Sequence, residues 1–421
     1  MDIGKNYEVM NLKLADQGEK NIEWAESQMG ALLKVRERFS KEKPFNGVKI
    51  GIALHPTKET AVLVRTLIAG GADVAICACN PLSTQDDVAA AMAEEGVKIW
   101  AYKGETKENY YRYLTNVIRF KPNYTIDDGC DLVSEIHNKH HEMIPNIIAG
   151  AEETTTGIIR LKAMEKDEAL KYPIIDVNNL KTKHLFDNYL GTGQSTIDGI
   201  LRATSILIAG RNVVVLGFGP CGQGVASRAK GNGANVIVCE VDPIRALQAL
   251  HEGYRVMPFA DASKIGDLFV TVTGDKNVID VNHMNLMKNG SIMANSGHFD
   301  AEINVSGLEK ISKSKVRIRP FLDMYTQEDG RKLYLIGEGR LCNLVAAEGH
   351  PSIVMAQSFC GQALAAEYAI KNKGNLPAKV ITLPPDIDNL IAELQLEALG
   401  IKIDKLTEPQ RKYLESWNQG T

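Results

Sequence analysis

The sequence predicts an α/β protein in which one α/β domain is inserted into another, with a short C-terminal arm. Three observations predict it. Short apolar runs alternate with helix-like stretches at the spacing of βαβ units, which build parallel sheets. A glycine-rich turn, Gly217-Phe218-Gly219-Pro220-Cys221-Gly222, sits within a second series of such units that begins after Asp187. An apolar helical stretch at 353–371 is then placed back with the first series, so the chain crosses between the units twice, near residues 185 and 348. At 421 residues the chain suits two domains better than one.

Taken in order, residues 1–45 read as helical, with Ile22, Ala25, Met29, Leu32, Leu33 and Val35 spaced for one buried face. Val48–Leu54 reads as a strand, Glu59–Ala69 as a helix, Val74–Cys79 as a strand and Gln85–Glu95 as a helix. Strands follow at Lys98–Tyr102 and Tyr124–Asp127, and none of this first series carries a nucleotide fingerprint. In the second series Ser195–Ile208 is helical, and Arg211–Leu216 is a strand leading into the glycine turn. Further strands are expected at Val236–Val238, Leu268–Val272, Ser291–Ala294 and Lys332–Ile336. From about Pro377 the chain carries Pro384-Pro385, an amphipathic helix through Leu399 and a polar end, an arm suited to packing on a neighbouring subunit. The expected division is a first domain over 1–184 and 348–380, an inserted domain over 185–347 and an arm over 381–421. Paired crossovers of this kind suit a hinge.

Composition narrows the functional classes. Apolar residues make up 44% and charged residues 24%, ordinary for a globular protein. A net charge of −4 and a pI near 6.2 leave no basic face for nucleic acid or anionic lipid. No apolar run reaches the roughly 20 residues of a membrane helix, and the N-terminal residues lack the pattern of a signal peptide. Seven scattered cysteines predict reduced thiols and a cytoplasmic setting. Cys77 and Cys79 have no second pair to complete a zinc site. His137 and His141 stand four apart on an expected helix but lack a third ligand, so no metal is expected.

Gly217, Gly219 and Gly222 form G-x-G-x-x-G between an apolar strand and a helix. The first glycine permits the tight turn, the second lets backbone approach a pyrophosphate, and the third lets helix pack on strand. Phosphates then meet the free N–H groups and the dipole of a helix N-terminus. Glu240, 18 residues after Gly222, ends the next strand. A carboxylate there accepts from the ribose 2′-hydroxyl and repels a 2′-phosphate, so this Rossmann-type domain is expected to bind NAD rather than NADP. Arg245 follows as a ribose or solvent contact.

An ordered set of further motifs resembles the S-adenosylhomocysteine hydrolase family over nearly the whole chain. It comprises Cys79-Asn80-Pro81-Leu82-Ser83-Thr84-Gln85-Asp86-Asp87, Asp127-Asp128-Gly129 and Glu152-Glu153-Thr154-Thr155-Thr156-Gly157. It continues with Thr182-Lys183-His184-Leu185-Phe186-Asp187-Asn188, Gly297-His298-Phe299-Asp300, Glu338-Gly339-Arg340-Leu341 and Gly349-His350-Pro351. Gly191-Thr192-Gly193-Gln194-Ser195 looks like the archaeal and thermophile-type branch, which includes enzymes for S-inosylhomocysteine. The resemblance implies a split substrate domain, a Rossmann NAD domain and a C-terminal arm, in a homotetramer or dimer acting on a small nucleoside thioether. It implies a redox detour as well: tightly held NAD oxidises the ribose 3′-carbon, homocysteine leaves by elimination, water adds, and the 3′-alcohol is restored.

The same resemblance implies the roles of particular residues. Lys183 stands near the 3′-hydroxyl as base, its proton made labile by burial, with Asp187 orienting it. Asp128 and Glu153 contact substrate, Asp128 being also a candidate acceptor for the C4′ proton. His55 and His298 activate water and protonate the departing thiolate. Thr154, Thr155 and Thr156 reach the nicotinamide end, with Asn188, Ser296, Gly297, His298 and Asn343 as further cofactor contacts beside Pro220, Cys221, Gln223 and Gly224 of the turn. His350 recognises the base through main-chain groups. Without the resemblance Lys183 reads as a surface lysine in a turn, and Asp127-Asp128 reads equally well as a plain turn.

Three departures from the family pattern stand out. The sequence ends at Asn418-Gln419-Gly420-Thr421 without the Lys- and Tyr-bearing tail of longer members, which predicts a more exchangeable NAD. Pro220 and Cys221 fill the fingerprint where many relatives carry other residues, and Thr192 replaces a common cysteine. The nucleobase is left between two readings. Thr57 and Glu59 match positions that face adenine, whose amino group suits a carboxylate acceptor. Lys58 and Glu348, a carboxylate at a position usually apolar, favour hypoxanthine with its N1–H. Adenine is the expected base and hypoxanthine the alternative.

Overall fold

The computed structural model describes residues 6–418. Seven strands open the chain: β1 (Tyr7–Glu8), β2 (Lys49–Leu54), β3 (Asp73–Ala78), β4 (Lys98–Trp100), β5 (Tyr124–Asp127), β6 (Ala149–Glu152) and β7 (Ile174–Asp176). The next eight are β8 (Asn212–Leu216), β9 (Asn235–Cys239), β10 (Arg255–Val256), β11 (Leu268–Thr271), β12 (Ile292–Asn295), β13 (Ser312–Arg319), β14 (Leu322–Gln327) and β15 (Lys332–Ile336), and β16 (Val380–Thr382) follows far downstream. They form two eight-stranded sheets. The first runs β1-β4-β3-β2-β5-β6-β7-β16 and the second β10-β9-β8-β11-β12-β15-β14-β13.

Every pairing in the first sheet is parallel. Helices cover both faces of such a sheet, so its strands read as continuous apolar runs; β2 and β3 are buried at every position after their first. In the second sheet β14 is antiparallel to both β13 and β15. The β13–β14 hairpin was not anticipated from the sequence. Its outer strand is exposed along nearly all its length and carries Lys313, Lys315, Arg317 and Arg319 on alternate positions, so it offers no apolar run to detect.

The expected N-terminal helix is two helices, Ala15–Gln28 and Gly30–Glu42, broken at Met29 (φ −106°, ψ 41°). The chain bends where helix Pro385–Ala398 presses in: a Cβ on Gly30 would lie 2.9 Å from the Ala398 side chain. That C-terminal helix buries Ile391 in the core of the first domain, and β16 pairs with β7. The segment that stands free of the core therefore begins at 399, with Ile401, Ile403, Leu406 and Trp417 exposed. Helix Ser352–Lys371 is buried around most of its circumference against helices Gly30–Glu42 and Lys58–Ala69. No helix among the described residues is long and apolar enough to cross a membrane.

Strand order sets where ligands gather. In the first sheet the chain winds outward from β2 through β3 to β4, then restarts at β5 on the other side of β2. The second sheet repeats this around β8 and β11. Each reversal opens a crevice at the carboxyl ends of the two central strands, the place where open α/β sheets bind ligands. His55 follows β2, Asp128 follows β5, Gly217 follows β8 and Thr273 lies two residues past β11.

Candidate active site

The two crevices share one cavity of about 1230 Å³, larger than the roughly 300–1000 Å³ of a site for one drug-sized ligand. His55, Asp128, Glu153, Lys183, Asp187, His298 and His350 all line it.

Asp128 is the centre of the first group. Its Oδ2 lies 3.3 Å from His55 Nε2 and its Oδ1 3.4 Å from His298 Nδ1. The Cys79 thiol donates to Oδ2 at 3.8 Å. Burial opposes charge on this carboxyl, but His298, His55 and Lys183 outweigh it and hold the pKa at about 2. The Ser83 hydroxyl donates to the Asn80 carbonyl and lies 2.6 Å from His55 Nδ1, which is thereby set as the donor. His55 Nε2, facing Asp128, is then the nitrogen free to accept a proton. His298 approaches over Gly129, where a Cβ would lie 2.2 Å from its Nε2. Burial lowers the His298 pKa, which favours the neutral ring.

Lys183 is the centre of the second group. Its Nζ donates to Asn188 Oδ1 at 2.7 Å and to Asn178 Oδ1 at 3.3 Å, with Asp187 at 3.5 Å and Glu153 at 3.7 Å. Residues 184–191 wind as a π-helix, whose i→i+5 turn sets Asn188 beneath Lys183. The expectation that burial frees the lysine proton is reversed here. Desolvation does lower the pKa, but Asp187, Glu153 and Asp128 together raise it above the usual lysine value, so Lys183 rests as an ammonium. Asp187 also meets His350 Nδ1 at 2.7 Å; burial is outweighed by Lys183 and His350, and its pKa falls below the usual carboxylate range. Burial raises Glu153 to about 7, against the pull of Lys183 and of Ser358. Ser358 and Gln362, one turn apart on helix Ser352–Lys371, both donate to Glu153.

The second crevice is built from small residues and amides. Gly217 has φ 103°, and Gly219 begins helix Pro220–Gly231 with no side-chain cap, leaving the first amides of that helix available to an anion. Glu240 accepts from the amides of Phe218, Val241 and Asp242. Thr154, Thr155, Thr156, Asn188, Pro220, Cys221, Glu240, Arg245, Ser296, Gly297 and Asn343 line the cavity. Gly222, Gln223 and Gly224 lie behind the wall. Cβ atoms on Gly222 and Gly224 would lie 2.0 Å from the carbonyls of Gly217 and Tyr189, and Gln223 donates to Phe218 O. These features fit a dinucleotide: an uncapped helix start, a cradle that a Cβ would fill, and the buried Asn343 Oδ1 without a protein partner.

At the far end Thr57, Glu59 and Glu348 line the cavity, and Lys58 Nζ bridges the two carboxylates, 3.0 Å from Glu348 Oε2 and 3.4 Å from Glu59 Oε1. Ser352 donates to Glu59 Oε1 at 2.6 Å.

Sequence reasoning missed Ser83, Asn178, Ser358, Gln362 and two buried acids. Glu152 accepts the amides of Gly129 and Thr154; Glu302 accepts those of Thr273 and Gly274. A signal existed for Ser358 and Gln362, two polar residues i, i+4 in a largely apolar helix. His137 is not a metal ligand: its Nδ1 is 2.8 Å from Val133 O and its Nε2 accepts from the Lys171 amide, so both nitrogens are used.

With this geometry in place, the comparisons are specific. The sequence profile of S-adenosyl-L-homocysteine hydrolase matches residues 6–144, and that of its NAD-binding domain matches residues 188–349. An S-inosyl-L-homocysteine hydrolase of Methanocaldococcus jannaschii is 56% identical over 99% of this chain and 100% of its own length. Adenosylhomocysteinases of Saccharolobus solfataricus and Aquifex aeolicus are 54% and 55% identical, each over 99% of this chain and all of their own length.

Proposed function

The chain belongs to the S-adenosyl-L-homocysteine hydrolase family, and on that premise we propose that it hydrolyses S-adenosyl-L-homocysteine reversibly to adenosine and L-homocysteine. It is an NAD-dependent hydrolase, and NAD, when bound, accepts hydride from the ribose 3′-carbon and later returns it. The family activity covers adenosyl and inosyl substrates; the choice of adenine rests on one observation. Glu59, 2% exposed, lines the cavity; Ser352 and Lys58 both meet its Oε1, which leaves Oε2 to accept from a ligand. Such an acceptor suits the 6-amino group of adenine, whereas hypoxanthine O6 calls for a donor.

The chain's residues divide the proton work. Lys183 Nζ holds the ribose 3′-oxygen. To take the hydroxyl proton it first passes one of its own to a carboxylate, and Glu153, 3.7 Å away and raised to about 7, is a more basic acceptor than Asp187. Asn178 and Asn188 fix the direction of Nζ, and Asp187 with His350 completes the cage. Asp128 faces C4′ between two imidazoles, so a proton taken there passes on to His55 Nε2 or His298 Nδ1. Those rings then protonate the departing thiolate and activate the incoming water. Thr154 to Thr156 and Asn343 hold the nicotinamide end, and Glu240 the ribose. The division into a split substrate domain and an inserted NAD domain, with an arm that joins subunits into a homo-oligomer, belongs to the same reading.

The test is a side-by-side assay of purified protein on S-adenosyl- and S-inosyl-homocysteine with no NAD added. Free thiol appears with both or with the adenosyl compound alone if the family reaction is right, and the adenosyl compound gives the higher kcat/KM if Glu59 selects the base. A higher value for the inosyl compound overturns the base assignment, and no thiol from either overturns the whole.

A further inference from the structure

His55, Asp128 and His298 each offer one ligand atom to a common point, and these atoms lie within 4.8 Å of one another. Zinc binds imidazole nitrogen and carboxylate oxygen at about 2.0–2.2 Å, so neighbouring donors in a tetrahedral site stand about 3.4 Å apart. Asp128 Oδ2 stands 3.3 Å from His55 Nε2 and its Oδ1 3.4 Å from His298 Nδ1. A small shift of the rings and the carboxylate brings three donors, now within 4.8 Å, to that spacing.

The hydrogen bonds suit a metal as well. The Ser83–Asn80 chain engages His55 Nδ1 and leaves Nε2 facing Asp128. That chain is also the outer-sphere support that orients metal-ligating histidines. His298 is fixed over Gly129 with Nδ1 turned to Asp128. All three residues line the cavity, which leaves a fourth position open to water. Two imidazoles with one carboxylate select zinc-like ions over magnesium or calcium, which demand oxygen.

We propose that the nucleoside-free protein binds one divalent ion of the zinc type at His55, Asp128 and His298, and that ion and nucleoside exclude each other. The site depends only on this geometry, whichever purine the protein uses. It holds back the reaction rather than serving it, because the ion occupies the lone pairs that otherwise move protons.

Calorimetric titration of the NAD-loaded protein with zinc chloride tests it. One ion per chain is expected, weakened at least tenfold in His298→Asn and by about tenfold in Ser83→Ala, which removes only the outer support. Saturating adenosine is expected to weaken zinc by at least tenfold, and His137→Asn to leave it unchanged. The proposal fails if the parent protein takes up no zinc. It fails equally if His298→Asn or Ser83→Ala titrates like the parent, or if adenosine does not compete. NAD retention and the thermal midpoint establish that His298→Asn is folded; if it is not, Ser83→Ala decides.

Discussion

The two crevices that meet in the cavity have the same topology and opposite chemistry. At the carboxyl edge of the first sheet, Asp128 with His55 and Lys183 with Glu153 and Asp187 form two clusters, the first joined by His298 from the second sheet, and their charges shift one another's protonation. At the edge of the second sheet, glycines, threonines and serines offer amides and hydroxyls. There the buried acid Glu302 serves the backbone, accepting the amides of Thr273 and Gly274 and the Thr273 hydroxyl. One edge is built to move protons and the other to hold an anion still. A parallel sheet's switch point thus supplies only a place; the side chains decide whether it reacts or grips.

The largest expected effect lies on the reacting edge. Lys183→Met should lower reduction of bound NAD by added nucleoside by about 10²–10⁴-fold, with the far-UV spectrum and NAD content unchanged. Substantial reduction in that variant would remove Lys183 from its assigned place. His298→Asn separates the steps: NAD reduction should persist while thiol release falls by a factor on the order of 10²–10⁴.

On the gripping edge a change should cost binding and stability rather than chemistry. Gly222→Ala sets a Cβ 2.0 Å from the Gly217 carbonyl, so unfolding should be easier by about 1–3 kcal/mol and NAD should be lost on gel filtration. A variant that keeps both NAD and its thermal midpoint would show that the turn relaxes freely.

The smallest effect is a pH dependence. Glu153 holds its proton up to about 7 in the fold against an ordinary 4.5. The folded chain therefore binds a proton that the unfolded chain has released, and stability falls as pH rises through that interval. Relative to the parent, Glu153→Gln should gain stability between pH 4.5 and 7 in thermal unfolding; parallel curves would mean that Glu153 ionises normally.

Legibility in the sequence follows the same contrast. The gripping edge was readable, because a tight turn, a close approach and a helix start each demand glycine at fixed spacing, and Glu240 follows at a fixed distance. Alternating apolar runs likewise revealed β2 to β5 of the first sheet and β8, β9, β11, β12 and β15 of the second. The reacting edge is assembled from residues as far apart as 55 and 298, and no local pattern announces such a meeting; only the resemblance to a family brought them together. Lys183 shows the limit of residue-by-residue reasoning. Burial alone argues for a neutral amine, and of the three carboxylates that reverse this, Glu153 and Asp128 arrive from separate segments. The β13–β14 hairpin escaped notice for a different reason, since a solvent-exposed edge strand needs no apolar pattern.

The central claim is that NAD is borrowed within one turnover. Deuterium placed at the 3′-carbon of S-adenosyl-L-homocysteine tests it most directly, followed through hydrolysis by the purified protein in ordinary water. Retention of the label in the product adenosine, with hydrogen at C4′ exchanging with solvent and no free NADH accumulating, is the predicted result. Loss of the 3′-label to solvent, or its steady appearance in released NADH, would contradict the account.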